Sequence, residues 1–142
     1  MYDDILLPVD GSDPSAAALD HAQTLAAHED ATVHVLNTIE LRPRGITYGR
    51  IPDPAMENIR EDAEDLVAEA VADLSQASID TESEVREGLA TTVIPEYADE
   101  VGADLIVMGT HGRTGVERVL LGSATERTLR IADTPVLAVE PS

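Results

Sequence analysis

The chain has 142 residues with nine arginines, no lysine and 28 acidic residues, so its formal net charge at pH 7 is −19. A chain of this charge is not expected to bind nucleic acids or anionic membranes, because their phosphates need basic partners. It contains no cysteine, which excludes disulfide bonds and any metal site or nucleophile built on cysteine.

Length and hydropathy predict one domain over residues 1–142. No stretch approaches the ~20 apolar residues of a membrane span, and the first four residues lack the positive charge of a signal peptide, so a cytoplasmic protein is expected. The charge also predicts a halophilic protein, since self-repulsion destabilises a compact chain in dilute buffer and salt screens it. An ordinary acidic protein that happens to lack lysine is the alternative.

Strand and helix signals alternate along the first half of the chain. A proline that follows a serine or an aspartate is typical of a helix start, and it occurs at Pro14 and Pro54. The loop before the second helix carries three arginines and is either functional or merely mobile. In order, we predict a strand over 5–9, a helix capped by Ser12 or Asp13 and ending near 28, a strand over 32–39, a loop over 40–53 and a helix over 53–77.

The second half of the chain continues the alternation. Its third helix is expected to end at Gly102, since glycine readily takes the left-handed conformation that follows a helix. The apolar run that comes next is typical of a buried strand. In order, we predict an edge strand over 79–86, a short helix from Thr91 or Thr92 to about 101, a strand over 104–108, a helix over 123–132 and a strand over 135–139.

This alternation predicts an α/β fold, a doubly wound parallel sheet of five strands with helices on both faces. The favoured strand order is 3-2-1-4-5, in which the chain reverses its direction of travel between strands 1 and 4. Ligands bind outside the carboxyl ends of the strands at such a switch point. Asp10 follows strand 1 and Gly109 follows strand 4, so both are expected at the binding site.

A glycine pattern follows the fourth strand. Gly109, Gly112, Gly122 and Ser123 are spaced as Gly, two residues, Gly, nine residues, Gly-Ser, and they lead into a predicted helix. Glycines let the backbone approach a ligand, and the start of a helix attracts an anion. Residues 109–130 also carry four arginines against two acids in this very acidic chain. The pattern therefore predicts a phosphate site; the alternative is that the glycines only mark turns and the arginines only solvate the surface.

Several familiar sites of this kind do not fit the sequence. A Walker A loop needs a lysine, and a Rossmann fingerprint needs three spaced glycines after strand 1, where only Gly11 occurs. A receiver domain would need a lysine and an acidic pair, and a flavodoxin would need aromatic residues at the strand ends. None of these features is present.

The whole chain resembles the universal stress proteins, in particular their ATP-binding branch. The glycine pattern matches that family's motif without gap or substitution. Residues 8–12 resemble the family's strand 1 turn, and residues 33–35 and 135–139 resemble its second and last strands. The resemblance implies that ATP crosses the switch point, with Val35 at the adenine, Pro8 and Asp10 at the ribose, and Met108 closing the pocket. The nucleotide-binding residues that it implies are Pro8, Val9, Asp10, Val35, Met108, Gly109, Gly112, Arg113, Gly122, Ser123 and Ala124.

The roles of two charged residues stay open at this point. Asp10 is suited to bind a ribose hydroxyl or a Mg²⁺ ion held mainly by the phosphates, but it is equally suited to a plain turn. Arg113 is suited to clamp a phosphate or simply to face solvent. We predict no metal site made by the protein alone and no catalytic residue.

The expected function is regulatory binding of ATP in the stress response, and protein partners cannot be named from the sequence. The alternatives are a slow ATPase or self-phosphorylating enzyme, and an interaction module that needs no nucleotide. Members of the family pair through the last strand, so the resemblance also implies a homodimer through residues 135–140.

Overall fold

Helices and strands alternate along the part of the chain that the structure, a computed structural model, describes: residues 1–40, 53–110 and 122–141. Most of the predicted loop over 40–53 therefore lies outside the described residues. The elements are β1 (Asp4–Pro8), α1 (Asp13–Glu29), β2 (Thr32–Ile39), α2 (Asp53–Gln76), β3 (Asp80–Glu87), α3 (Ala90–Val101), β4 (Leu105–Gly109), α4 (Ser123–Ile131) and β5 (Val136–Val139).

The five strands form one parallel sheet in the order β3-β2-β1-β4-β5, which confirms the predicted order. In the register of the sheet, Pro8 at the end of β1 lies opposite Leu36 of β2, and Leu6 lies opposite Ile106 of β4. The carboxyl ends of β1 and β4 therefore meet at one edge of the sheet. This edge is where the switch point predicts a ligand.

Helices cover both faces of the sheet, as predicted. Side chains alternate between the two faces along a strand, so Leu7 and Val35 pack with α1 and α2 on one face, whereas Leu6 and Leu36 pack with α3 on the other. These four side chains are fully buried. Burying a side chain of this size contributes about 1.5–3 kcal/mol relative to leaving it exposed, so the two layers hold the edge of the sheet in place.

The first helix begins as its sequence indicates, with a capping serine. The Ser12 hydroxyl accepts the N–H of Ser15 at 3.2 Å, and Pro14 occupies the second helical position rather than the first. The third helix begins earlier than predicted, at Ala90, so neither Thr91 nor Thr92 is its cap. The Glu40 carboxylate accepts the Ala90 N–H at 3.2 Å instead. A cap supplied by a distant residue cannot be recognised from local sequence.

Candidate functional site

A cleft lies at the carboxyl edge of the sheet, where β1, β2 and β4 end. The starts of α1, α3 and α4 form its rim. Asp10 is the one ionisable side chain among the described residues that line it. These residues are Pro8, Val9, Asp10, Ser12, Ser15, Leu36, Thr38, Ala90, Ile94, Met108, Gly109, Ala124 and Thr125.

The turn between β1 and α1 is held by three interlocked hydrogen bonds. Asp10 Oδ1 accepts the N–H of Ser12 at 2.9 Å, and Ser15 Oγ accepts the N–H of Asp10 at 3.1 Å. The third bond is the Ser12 cap. Gly11 has a φ of +81°, a conformation that glycine adopts without steric cost. Asp10 thus performs the turn role that the sequence left open, and it does so at the wall of the cleft.

A second set of hydrogen bonds ties the start of α4 to the end of β4. The Gly122 N–H donates to the Thr110 carbonyl at 2.8 Å, and the Thr110 N–H donates to the Val139 carbonyl at 2.9 Å. The buried Thr125 hydroxyl donates to the Gly109 carbonyl at 2.7 Å. We call the bonds of Gly122, Thr110 and Thr125 the β4–α4 clasp. The clasp places both ends of the glycine pattern beside the cleft.

The three helices that start at the cleft are capped differently. Ser12 caps α1 and the Glu40 carboxylate caps α3, whereas no side chain of the described residues caps α4, whose N-cap residue is Gly122. Free N–H groups and the helix dipole at such a start attract an anion. The negative charge of Glu40 offsets that attraction at α3. An anion is therefore favoured at the α4 side of the cleft, because the start of α1 is capped by Ser12 and has the Asp10 carboxylate beside it.

Arg86 fixes the wall that α3 contributes. From β3 it donates to Glu100 of α3, with Nη1 to Oε1 at 3.1 Å, and also to Glu84 of its own strand. Its guanidinium lies 4.6 Å from the centre of the Tyr97 ring. The bonds to Glu100 and Glu84 raise the pKa of Arg86, and the bond from Arg86 lowers the pKa of Glu100. Sequence reasoning gave Arg86 no role, because its partners Glu100 and Tyr97 come from a different element.

The fold and the cleft agree with one known family. The model of the universal stress protein family matches residues 1–140 of the chain. The chain belongs to the universal stress protein family.

Individual universal stress proteins resemble this one along nearly the whole length of its chain. One from Methanocaldococcus jannaschii is 35% identical over 141 residues, which are 99% of this chain and 83% of that protein. The solved structure of a second one from the same organism has 27% identity and a TM-score of 0.82, and the match covers 100% of this chain and 98% of that one. A universal stress protein solved in complex with cAMP has 28% identity and a TM-score of 0.76, with 99% of each chain covered.

In this universal stress protein, the cleft brings together about half of the residues that the sequence assigned to a nucleotide. Gly122 and Ser123 stand beside it, at the N-cap and the first position of α4, but do not line it. Gly112 and Arg113 lie outside the described residues. Those that line the cleft are Pro8, Val9, Asp10, Met108, Gly109 and Ala124.

The structure does not place Val35 in the cleft. Its side chain is fully buried among the residues under α1 and α2, on the opposite face of the sheet. Leu36, the next residue, faces the cleft instead, because successive side chains of a strand point to opposite faces. The Val35 side chain therefore lies away from this cleft, and the expectation that Val35 meets the adenine stays a prediction.

Sequence reasoning missed several residues of the cleft. The sequence predicts Ser12 only as a cap and Ile94 only as part of a helix, and it places Ala90 before that helix. Thr125 had a usable signal, since it follows the Gly-Ser pair by two positions at the start of a helix. The missed residues are Ser12, Ser15, Leu36, Thr38, Ala90, Ile94 and Thr125.

The described residues of this universal stress protein hold neither a metal-binding cluster nor a membrane-spanning helix. Within residues 1–40, 53–110 and 122–141, no group of three or more histidine, aspartate and glutamate side chains is arranged to hold a metal ion. Across the same residues, no helix has both the length and the apolar character needed to cross a membrane.

Proposed function

We propose that this universal stress protein is a regulatory protein of the stress response that binds ATP in the cleft. The observation that carries the proposal is the uncapped start of α4, which the β4–α4 clasp holds at the carboxyl ends of β1 and β4. An uncapped helix start at a switch point suits a phosphate group. The relative solved with cAMP supports an adenine nucleotide as the ligand class.

The proposed arrangement places the phosphates at the α4 side of the cleft. Ala124 lines that side, and Gly122 and Ser123 begin the helix beside it. Gly112 and Arg113 join them through the glycine pattern of the sequence. Mg²⁺ would be held mainly by the phosphates, since this ion takes oxygen ligands and keeps part of its water.

We propose binding rather than rapid turnover. Asp10 is the one ionisable side chain among the described lining residues, and its Oδ1 already accepts the Ser12 N–H. Fast phosphoryl transfer needs a group that positions the nucleophile together with placed positive charge. A slow ATPase or self-phosphorylating activity remains the second candidate, and turnover that disappears in an Asp10→Ala variant would favour it.

We also propose a homodimer through residues 135–140. In the described sheet β5 pairs only with β4, so its other edge is open. Three large apolar side chains are exposed on β5 and on the end of α4, at 36% for Leu137, 44% for Leu129 and 46% for Ile131. A second copy would cover this open edge and its apolar surface.

The charge supports two further proposals about where the protein works. A net charge of −19 without lysine suits a cytoplasm of high salt concentration, because salt screens the repulsion among the carboxylates. We propose a halophilic, cytoplasmic protein, with residues 1–142 as one universal stress protein domain.

The first test is the nucleotide content of protein purified in molar KCl and then denatured. We expect about one adenine nucleotide per chain, or a higher melting temperature when Mg-ATP is added, since a ligand that binds only the folded state stabilises it. An empty protein whose melting does not change with Mg-ATP would contradict the proposal and favour the nucleotide-independent module.

A charge variant makes this test specific to the cleft. Ala124→Glu places a carboxylate in the first turn of α4, where an acid suits the helix but repels a phosphate. Ala55→Glu is the matched control, because it makes the same change in the first turn of α2, outside the cleft lining. Loss of nucleotide in the first variant alone supports the proposed site; equal binding in both contradicts it.

A further inference from the structure

The side of the cleft that β2 and α3 form is apolar apart from one hydroxyl group. Its described side chains are Leu36, Ala90, Ile94 and Thr38. Thr38 is half-buried and lies two residues after Leu36, so both face the cleft. Asn37 between them is buried, and its side-chain amide donates to the backbone carbonyl of Val9, just after β1, at 2.7 Å.

The Thr38 hydroxyl differs from the other hydroxyls of the cleft. Ser12 Oγ and Ser15 Oγ each accept a backbone N–H, and Thr125 Oγ1 donates to the Gly109 carbonyl. The Thr38 hydroxyl takes part in no hydrogen bond that involves the residues the structure describes. It is therefore available to a ligand, as both a donor and an acceptor.

The charges at the helix starts decide whether the phosphates or the nucleoside of a nucleotide lie at the β2 and α3 side of the cleft. The Glu40 carboxylate lies 3.2 Å from the N–H of Ala90 at the start of α3, and its charge repels a phosphate there. The uncapped start of α4 attracts the phosphates to the other side. The side of the cleft that the buried side chains of Leu36 and Ile94 back is left for the nucleoside, since ligand clefts are mostly lined by apolar side chains.

On the basis of the proposed function, we infer that Thr38 is a specificity-determining residue that hydrogen-bonds the nucleoside of the bound nucleotide. A polar atom of the base or the ribose that enters an apolar wall loses its water and needs a partner. The Thr38 hydroxyl is the one side-chain partner among the described residues of this wall. The site then distinguishes a nucleotide from a bare polyphosphate through this residue.

The test compares ATP with inorganic tripolyphosphate in the full chain, by calorimetry in molar KCl. Thr38→Val keeps the shape of the side chain and removes the hydroxyl. We expect the Kd for ATP to rise roughly threefold to tenfold, the usual effect of one hydrogen bond, while the Kd for tripolyphosphate stays unchanged. Thr32→Val is the matched control, since Thr32 is on the same strand and face at the end remote from the cleft.

Two analogues identify the atom that Thr38 contacts. We expect either 2′-deoxy-ATP or a purine triphosphate without the 6-amino group to bind the wild type more weakly than ATP does, and to lose that difference in Thr38→Val. Equal ATP affinity in Thr38→Val and Thr32→Val overturns the inference and leaves the proposed function standing. An equal loss for ATP and tripolyphosphate also overturns it, because the effect is then structural. A wild type that binds neither compound overturns the proposed function together with the inference.

Discussion

Gly109 at the end of β4 lies directly against Pro14 at the start of α1. A Cβ atom added to Gly109 would be 2.6 Å from the Pro14 Cβ and 2.8 Å from the Pro14 carbonyl carbon. Atoms cannot approach so closely without a shift of the backbone. The sequence suggested that this glycine makes room for a ligand, and the structure shows that it also makes room for the helix that begins the cleft.

Gly109→Ala is therefore expected to destabilise the fold by about 1–3 kcal/mol, the usual cost of overpacking a well-packed region. The measurement is urea unfolding in molar KCl. Gly102→Ala provides a comparison, because no atom lies within 4 Å of its added Cβ and only its φ of +68° opposes the change. A Gly109→Ala protein as stable as the wild type would contradict this packing argument.

The β4–α4 clasp depends on the buried hydroxyl of Thr125. Thr125→Val removes the 2.7 Å bond to the Gly109 carbonyl, which should cost about 1–3 kcal/mol of stability because a buried acceptor loses its partner. We also expect weaker ATP binding, since the start of α4 is loosened. Thr128→Val is the matched control: its buried hydroxyl bonds only to the Ala124 carbonyl of its own helix. Equal effects of the two substitutions on ATP binding would contradict the idea that the β4–α4 clasp positions the start of α4 for ATP.

The Asp104 carboxylate should make stability depend on pH. It accepts the backbone N–H groups of Asp3 at 2.8 Å and Asp4 at 3.0 Å, and these bonds lower its pKa. Because the folded-state pKa is the lower one, the stabilisation is complete above the usual aspartate pKa of about 3.9 and is lost as the pH falls through the folded-state value. The difference in unfolding free energy between wild type and Asp104→Ala should shrink over that range. A difference that stays constant with pH would show that the pKa of Asp104 is not lowered by folding.

The proposed dimer gives a prediction about mass in solution. Leu137→Arg puts a charge on the exposed side of β5, and we expect light scattering at high salt to show a change from dimer to a monomer of 15.1 kDa. Leu89→Arg makes the same change at another exposed leucine, outside β5, and should leave the dimer intact. A wild-type protein that is already monomeric would refute pairing through this strand.

Salt should stabilise the protein strongly. The Debye length falls from about 10 Å at 0.1 M to about 3 Å at 1 M salt. The repulsion among the acidic side chains, which give the chain its net charge of −19, is therefore better screened in molar KCl. Urea unfolding should show a higher free energy of unfolding at the higher salt concentration. Replacing the exposed α2 carboxylates Glu61, Asp65 and Glu69 by amides should reduce this dependence. Equal wild-type stability at both concentrations would rule out the halophilic interpretation.

The sequence by itself determined the order of helices and strands, the order of strands in the sheet and the edge at which a site should form. Apolar periodicity and helix-capping residues are local signals, and the right-handed crossovers between parallel strands leave few possible topologies. The glycine pattern and Asp10 could be assigned to the switch point for the same reason.

Only the tertiary structure decided which side chains face the cleft. A parallel strand covered by helices on both faces carries apolar residues on both, so its sequence does not reveal that Leu36 rather than Val35 faces the site. The cap that Glu40 provides for α3 and the contact of Gly109 with Pro14 join residues far apart in the chain. Such contacts follow from how the layers pack, and no local pattern of residues encodes them.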